Sequence, residues 1–328
     1  MSFDSIEAAR DTVTEPTYQF GWRRFQFEVP EPWEPSHLEG DDAGGYARLD
    51  DALRTRLELK WSRSYADDAC DVAFRRYLKQ LVRPYGKRGG AAAMPHEPKE
   101  ISLVSRWPDG MRGRTVRWSA EVDGLATIIA CSRCNRVTAI QVFFPPGEMQ
   151  TGLMRRILET FRDHPEDPDG PVGWSLYRMR FQAPARWRLV AHRFGPGYAE
   201  MNFRGPDGLL ADLRRWGPAE IILKKQNLLD WYLAQFPKGV TVEKKDVTQA
   251  EVRGDVVLAV ASEPRGLLAI LRRRGRVEVA KQGLCLQSVA WHCPAGNRLW
   301  MTDVYAPTLP AAQAGDWKVF CHGEAQGA

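Results

Sequence analysis

The chain has 328 residues, of which 44% are hydrophobic and 27% charged, and its formal net charge is +5. This composition is typical of a folded globular protein and excludes a disordered chain. The longest apolar runs, such as residues 125–131, are far shorter than the roughly 20 residues of a membrane-spanning helix. The start of the chain lacks a basic segment followed by an apolar one, so we expect no secretory signal and a cytoplasmic location.

The hydrophobic pattern of the first half predicts strands, a helix, more strands and a closing helix. Alternation of apolar and polar residues predicts strands, and spacing of three or four predicts helices. The predicted strands lie around residues 25–29, 57–61, 100–105, 114–120, 125–131 and 137–144, and the helices at 67–82 and 149–162. In the second half we expect strands near 177–181, 188–192, 198–203 and 209–213, a helix over 220–236, and strands near 240, 252, 267, 277, 285 and 299.

Several short motifs of the first half recur in the same order in the second half, which indicates an internal duplication. The matching pairs are Gly21-Trp22 with Gly173-Trp174, Phe27-x-x-Pro30-x-x-Trp33 with Phe181-x-x-Pro184-x-x-Trp187, Gly45-Tyr46-Ala47 with Gly197-Tyr198-Ala199, Tyr77-Leu78-x-Gln80 with Tyr232-Leu233-x-Gln235, and Cys131-x-x-x-Asn135-Arg136 with Cys293-x-x-x-Asn297-Arg298. We therefore predict an N-terminal extension (1–17), repeat 1 (18–163), a Pro-rich linker (164–171), repeat 2 (172–320) and a C-terminal tail (321–328).

The predicted fold class is α+β, with two tandem duplicated domains, each an antiparallel sheet covered by helices. The repeated Phe-x-x-Pro-x-x-Trp, Gly-Tyr-Ala, Tyr-Leu-x-Gln and Asn-Arg motifs resemble those of the PsbP-like (DcrB/PsbP-type) α/β/α sandwich superfamily, in two copies. That group includes photosystem extrinsic subunits, Ran-binding nuclear-transport factors and bacterial chaperones of secreted effectors. The resemblance implies a binding or assembly protein without a shared active site, so no catalytic residue is carried over.

The cysteines provide the sharpest local signal. Cys131-x-x-Cys134 has the spacing of a zinc or redox pair, because two intervening residues let both sulfurs turn toward one ion. The duplication aligns Cys293 with Cys131, so His292 and Cys293 are candidates for the other half of a structural zinc site. Reduced thiols that simply pack in the core are the alternative, and a redox pair is a third.

Two further groups of residues are candidates for contact with a ligand or partner. Arg136 and Arg298 follow asparagines that suit turns with positive φ, and each arginine would either pair with a nearby carboxylate or reach an anionic ligand lined by Asp303. The basic run Arg272, Arg273, Arg274 and Arg276 is either a solvated hairpin turn or a nucleic-acid contact.

No phosphate-binding loop, nucleophile elbow, zinc-protease motif or dinucleotide fingerprint occurs in the sequence. We therefore expect a non-catalytic protein-binding or assembly scaffold, of accessory-subunit or chaperone-like type, with a protein partner. The alternatives are a small-molecule binder or enzyme that uses the groove between the domains, or a nucleic-acid-binding protein. Residues 165–328 carry 22 basic and 17 acidic side chains, against 24 of each in residues 1–164, so an acidic partner is expected to bind repeat 2.

Overall fold

A computed structural model of the chain describes residues 16–81, 96–236, 242–252, 255–262, 284–308 and 317–320. The chain divides into two compact units. The first comprises Met1–Pro168 and Val172–Met179, and the second comprises Asp169–Pro171 and Arg180–Ala328. Residues 172–179, which the duplication assigns to repeat 2, thus cluster with the first unit.

The first unit contains a seven-stranded antiparallel sheet in the order β3-β4-β5-β9-β8-β7-β6. Beside it, β1 pairs with β2 and with β10. The strands are β1 (Thr17–Trp22), β2 (Phe25–Pro30), β3 (Glu34–Gly40), β4 (Gly44–Asp50), β5 (Thr55–Arg63), β6 (His96–Ile101), β7 (Met111–Ser119), β8 (Asp123–Cys131), β9 (Arg136–Phe144) and β10 (Val172–Leu176).

Two helices cover parts of the first unit. Helix α1 (Ala69–Leu81) places Phe74 and Cys70 in a core against β7, β8 and β9. Helix α2 (Thr151–Thr160) buries Leu153, Met154, Ile157 and Leu158 and packs on β2. The predictions of helices over 67–82 and 149–162 are confirmed to within about two residues at each end.

The second unit contains a seven-stranded antiparallel sheet in the order β12-β13-β14-β18-β17-β16-β15, and β11 pairs with β19. The strands are β11 (Met179–Ala183), β12 (Arg188–Gly195), β13 (Tyr198–Arg204), β14 (Leu210–Trp216), β15 (Thr248–Val252), β16 (Asp255–Ser262), β17 (Cys285–Cys293), β18 (Arg298–Ala306) and β19 (Lys318–Phe320). Counted from the first strand of each seven, both sheets have the order 1-2-3-7-6-5-4. This shared topology supports the duplication, which stays a prediction.

The predicted helix over 220–236 is wrong as a single element. Two short helices replace it, α3 (Ala219–Leu223) and α4 (Leu228–Leu233). The break lies at Asn227, whose side chain accepts a hydrogen bond from the backbone N–H of Asp230 and so starts a new helix. The predicted strands near 240, 267 and 277 lie outside the described residues.

The predicted α+β fold, with sheets covered by helices, is wrong. Of the described residues, 52% lie in strands and 16% in helices, so the protein is predominantly β. The helices are short and each covers only part of one sheet face. The prediction missed β1, β3, β10 and β16 and therefore underestimated the strand content, although apolar and polar residues alternate in both β1 and β10.

The turns that join β8 to β9 and β17 to β18 confirm the prediction for their asparagines, since φ is 55° at Asn135 and 51° at Asn297. Asn297 Oδ1 also accepts a hydrogen bond from the backbone N–H of Glu220 at 2.9 Å, next to the start of α3.

We expect Asn135→Ala to lower the free energy of unfolding by about 1 kcal/mol through backbone strain. Asn297→Ala is expected to cost about 2 kcal/mol, because it also removes a hydrogen bond worth about 1 kcal/mol. Glycine relieves the strain, so Asn135→Gly should be nearly neutral and Asn297→Gly should cost only the hydrogen bond. Urea unfolding of the full-length variants measures these differences, and equal losses for the two alanine variants would contradict the assignment.

Candidate metal centre

Four side chains with metal-binding atoms converge in the first unit: Cys131, Cys134, Asp163 and His164. Their ligand atoms all lie within 4.8 Å of one another. The sulfur of Cys131 lies 3.5 Å from Nε2 of His164, and that nitrogen lies 3.5 Å from Oδ1 of Asp163. Within the described ranges, this is the one group of three or more Cys, His, Asp or Glu side chains gathered in this way.

The β8–β9 hairpin positions the two thiols. Cys131 is the last residue of β8 and pairs with Arg136, the first residue of β9. The turn between them contains Cys134, followed by Asn135 in the left-handed conformation. The backbone N–H of Ser64 donates to the carbonyl of Asn135 at 2.9 Å and fixes the turn against the end of β5. The side chain of Cys134 is therefore held on the same side as the sulfur of Cys131.

The other two ligands follow helix α2. Phe161 is fully buried and its ring packs against those of Phe25 and Phe27 on β2. The backbone of Arg162 then exchanges two hydrogen bonds with Gln26, of 2.8 and 2.9 Å. This short bridge ends the helix and directs Asp163 and His164 toward the hairpin.

The histidine presents Nε2 to the cluster. His164 Nδ1 lies 2.8 Å from the carbonyl oxygen of Pro165. A carbonyl only accepts hydrogen bonds, so Nδ1 is the donor in this contact, and Nε2 faces the sulfur of Cys131 at 3.5 Å. A backbone carbonyl on the far ring nitrogen is the usual arrangement for a histidine that binds a metal.

The carboxylate of Asp163 is buried and incompletely satisfied. Asp163 is 1% exposed, and its Oδ2 accepts a hydrogen bond from the thiol of Cys134 at 2.9 Å. Its Oδ1 makes no hydrogen bond in the described part of the chain, although His164 Nε2 lies 3.5 Å away. Burial of a carboxylate oxygen without a hydrogen bond is costly, and a bound cation would remove that cost.

The two thiols have opposite pKa shifts. Interaction with the side chain of Cys134 lowers the pKa of Cys131 to about 6. The same interaction, together with burial and the charge of Asp163, raises the pKa of Cys134 well above its usual range. The proton of Cys134 lies toward Asp163, and a bound metal ion would displace it.

Arg136 supplies a buried positive charge beside the cluster. The residue is 4% exposed, and its Nη1 donates to the carbonyl oxygens of Asp163 and Arg23 at 2.9 and 3.2 Å. Its Nε and Nη2 donate to the carbonyl of Asp42, and the guanidinium lies 4.8 Å from the ring centre of Phe25. The guanidinium thus ties the first residue of β9 to three other segments of the chain, and the prediction that Arg136 reaches an anionic ligand stays a prediction.

The predicted partners of the thiols are not in this group. His292 and Cys293 are consecutive residues of β17 in the second unit, so their side chains point to opposite faces of the sheet. Cys293 is fully buried, and its sulfur accepts a hydrogen bond from the backbone N–H of Gly296 at 3.3 Å. Gly296 occupies the turn position that Cys134 has in the first unit, so the second hairpin has one thiol only.

The remaining predicted contact residues do not form a common site among the described residues. Arg298 Nη1 donates to the carbonyl of Asn297 at 2.9 Å. Asp303 is fully buried and forms an ion pair with Arg214 on β14. Arg272, Arg273, Arg274 and Arg276 lie outside the described residues.

Sequence reasoning identified Cys131 and Cys134 but missed Asp163 and His164. These two residues were assigned to the end of repeat 1 and the start of the linker. One sequence signal could have identified them. The adjacent Asp-His pair places two metal-binding side chains next to each other directly after an amphipathic helix.

The sequence matches no protein-family model. It also matches no curated protein. The resemblance to the PsbP-like superfamily therefore stays a prediction. Within the described part of the chain, no helix has the length and apolar character required to cross a membrane.

Proposed function

We propose that this chain is a non-catalytic zinc protein of the binding or assembly type. One Zn²⁺ is held by Cys131, Cys134, Asp163 and His164 in the first unit. The observation that carries the proposal is the convergence of four metal-binding atoms, within 4.8 Å of one another, around the incompletely satisfied carboxylate of Asp163.

The donor set favours zinc over other common ions. Two sulfurs, one imidazole nitrogen and one carboxylate oxygen suit Zn²⁺, whereas Ca²⁺ and Mg²⁺ prefer oxygen alone. Tetrahedral zinc with bonds of about 2.0–2.3 Å places its ligand atoms about 3.3–3.8 Å apart. The contacts of 3.5 Å that join His164 Nε2 to Cys131 and to Asp163 already lie in this range. Small side-chain rotations complete the site.

Positive charge near the proposed site offsets its negative charge. Two thiolates and one carboxylate contribute three negative charges, and Zn²⁺ contributes two positive charges. The buried guanidinium of Arg136 adds a positive charge beside the ligands, although it also lies 3.9 Å from a carboxylate oxygen of Asp42. Such compensation matters because an uncompensated charge in a buried site is strongly unfavourable.

A closed site supports a structural role for the ion. Four protein ligands fill the tetrahedron and leave no position for a substrate, which is typical of zinc sites that stabilise a fold. The ion would join the β8–β9 hairpin to the segment after α2, which is 29 to 33 residues away in sequence.

The proposal also includes a cytoplasmic location and a protein partner. Cys70, Cys131, Cys134, Cys285 and Cys293 are free thiols. Free thiols suit a reducing compartment, which supports the cytoplasm. The partner that we propose is another protein, and the positive surplus of the second half supports an acidic one.

Metal analysis of the purified protein tests the proposed function. We expect about one zinc per chain in the wild type and a large loss in His164→Ala and Cys134→Ser, because each variant removes one of the four ligands. Cys293→Ser is the matched control, since it removes the cysteine at the equivalent hairpin position of the second unit and should leave the zinc content unchanged. Wild-type protein without zinc after expression in zinc-supplemented medium would contradict the proposal.

A further inference from the structure

We propose that the zinc centre is also a peroxide-responsive switch, in which oxidation joins Cys131 to Cys134 and releases the ion together with the segment that contains Asp163 and His164. This inference rests on the proposed zinc site and specifies how that site is regulated.

The switch follows from the origin of the ligands in two separate segments. Cys131 and Cys134 lie on one hairpin and are two residues apart. Asp163 and His164 come from a segment about 30 residues further along the chain. Zinc cross-links the two segments, whereas a disulfide closes only a small loop inside the hairpin. Oxidation therefore exchanges a long-range cross-link for a local one.

The geometry allows the disulfide to form within the hairpin. The sulfurs of Cys131 and Cys134 lie within 4.8 Å of each other, and a disulfide needs an S–S distance of about 2.05 Å. Side-chain rotation of Cys131 and Cys134 supplies the approach. Cys131 is 3% exposed, while Cys134 is partly exposed and gives a small oxidant access to the pair.

The reaction balances with hydrogen peroxide as the named oxidant. The Cys131 thiolate attacks one peroxide oxygen, the O–O bond breaks, and sulfenic acid and hydroxide form. The Cys134 thiolate then attacks the sulfenic sulfur, forms the S–S bond and expels hydroxide. Two protons from solvent convert the two hydroxide ions to water, so two thiolates lose one electron each and one peroxide gains two.

Oxidation also removes the interactions that stabilise the buried carboxylate of Asp163. Its Oδ2 loses the thiol of Cys134 as a donor, and its Oδ1 loses the ion. A buried carboxylate with so few partners gains by moving into water. The segment that follows α2 is therefore expected to separate from the hairpin after oxidation.

The second unit contains a natural control for this chemistry. Its β17–β18 hairpin has Cys293 at the position of Cys131, but Gly296 at the position of Cys134. The same strand pairing therefore exists with a single thiol, so the hairpin of the second unit cannot form the corresponding disulfide.

The experiment treats zinc-loaded, full-length protein with hydrogen peroxide and follows zinc release with a chromophoric chelator. We expect one zinc released per disulfide formed, a mass loss of about 2 Da in the peptide that contains both Cys131 and Cys134, and recovery of zinc binding after treatment with dithiothreitol and zinc. Cys293→Ser should behave as the wild type. Cys134→Ala should show a gain of about 16 Da, or multiples of it, on Cys131 without the disulfide.

The outcomes separate the switch from the zinc site itself. If the protein binds one zinc and keeps it while peroxide oxidises other thiols, the result contradicts the switch alone. Zinc release without a bond between Cys131 and Cys134 also contradicts the switch alone. Reduced protein that binds no zinc contradicts the proposed function as well.

Discussion

Removal of zinc by a chelator is expected to lower the free energy of unfolding of the first unit by about 4 kcal/mol, when the reference state contains free zinc at a thousandfold the Kd. The ion binds the folded site and has few organised ligands in the unfolded chain, so its binding free energy stabilises the fold. The effect should be concentrated in the β8–β9 hairpin and in residues 161–168, which the ion joins.

Hydrogen exchange measured by mass spectrometry locates this effect in the intact chain. Peptides from the β8–β9 hairpin and from residues 161–168 should exchange faster after chelation, while peptides from the β17–β18 hairpin of the second unit should not change. Faster exchange throughout both units, or no change in the first, would contradict a local structural zinc. His164→Ala should show the fast pattern with or without zinc.

Replacement of Arg214 by methionine is expected to destabilise the second unit by about 3–5 kcal/mol, because it leaves the carboxylate of Asp303 buried without its ion-pair partner. Asp303 is fully buried, and the register places it directly opposite Asp212, which is also buried. Although burial lowers the pKa of Arg214, the charges of Asp303 and Asp212 raise it above its ordinary value. The guanidinium thus offsets negative charge from two adjacent strands.

Two further variants control for the loss of packing. The double variant Arg214→Met/Asp303→Leu removes both charges and should recover part of the lost stability, since an apolar pair often replaces a buried ion pair at little cost, while Asp212 still loses the nearby guanidinium. Arg48→Met breaks the surface ion pair with Asp50, whose closest N–O distance is 3.2 Å, and should cost less than about 1 kcal/mol. Urea unfolding measures all three, and a loss below about 1 kcal/mol for Arg214→Met would contradict the role assigned to this pair.

The parts of the fold that the sequence predicts correctly are those with strong local signals. The spacing of Ala69, Ala73, Tyr77 and their neighbours predicts α1 because these residues form one apolar stripe. The Asn-Arg motif predicts the turns at Asn135 and Asn297 because asparagine tolerates positive φ. The α+β assignment failed because the prediction left out strands such as β1, β3 and β10. The side-chain hydrogen bond of Asn227 also splits one predicted helix into two.

Two of the four residues of the candidate site, Cys131 and Cys134, could also be predicted from a strong local signal. The C-x-x-C spacing brings Cys131 and Cys134 together through local geometry alone. Asp163 and His164 reach them only because Arg162 bridges to Gln26 and Phe161 is anchored in the core, and such long-range contacts leave no periodic pattern. The duplication suggested His292 and Cys293 instead, but strand geometry places those adjacent side chains on opposite faces of β17.

X-ray absorption spectroscopy at the zinc edge, on the reduced full-length protein, tests the account most directly because it counts the ligand atoms around the ion. We expect two sulfur neighbours at about 2.3 Å and two nitrogen or oxygen neighbours at about 2.0–2.2 Å, and one sulfur neighbour fewer around the zinc that Cys134→Ser retains. A shell of nitrogen and oxygen only, or a spectrum that Cys134→Ser leaves unchanged, would contradict it.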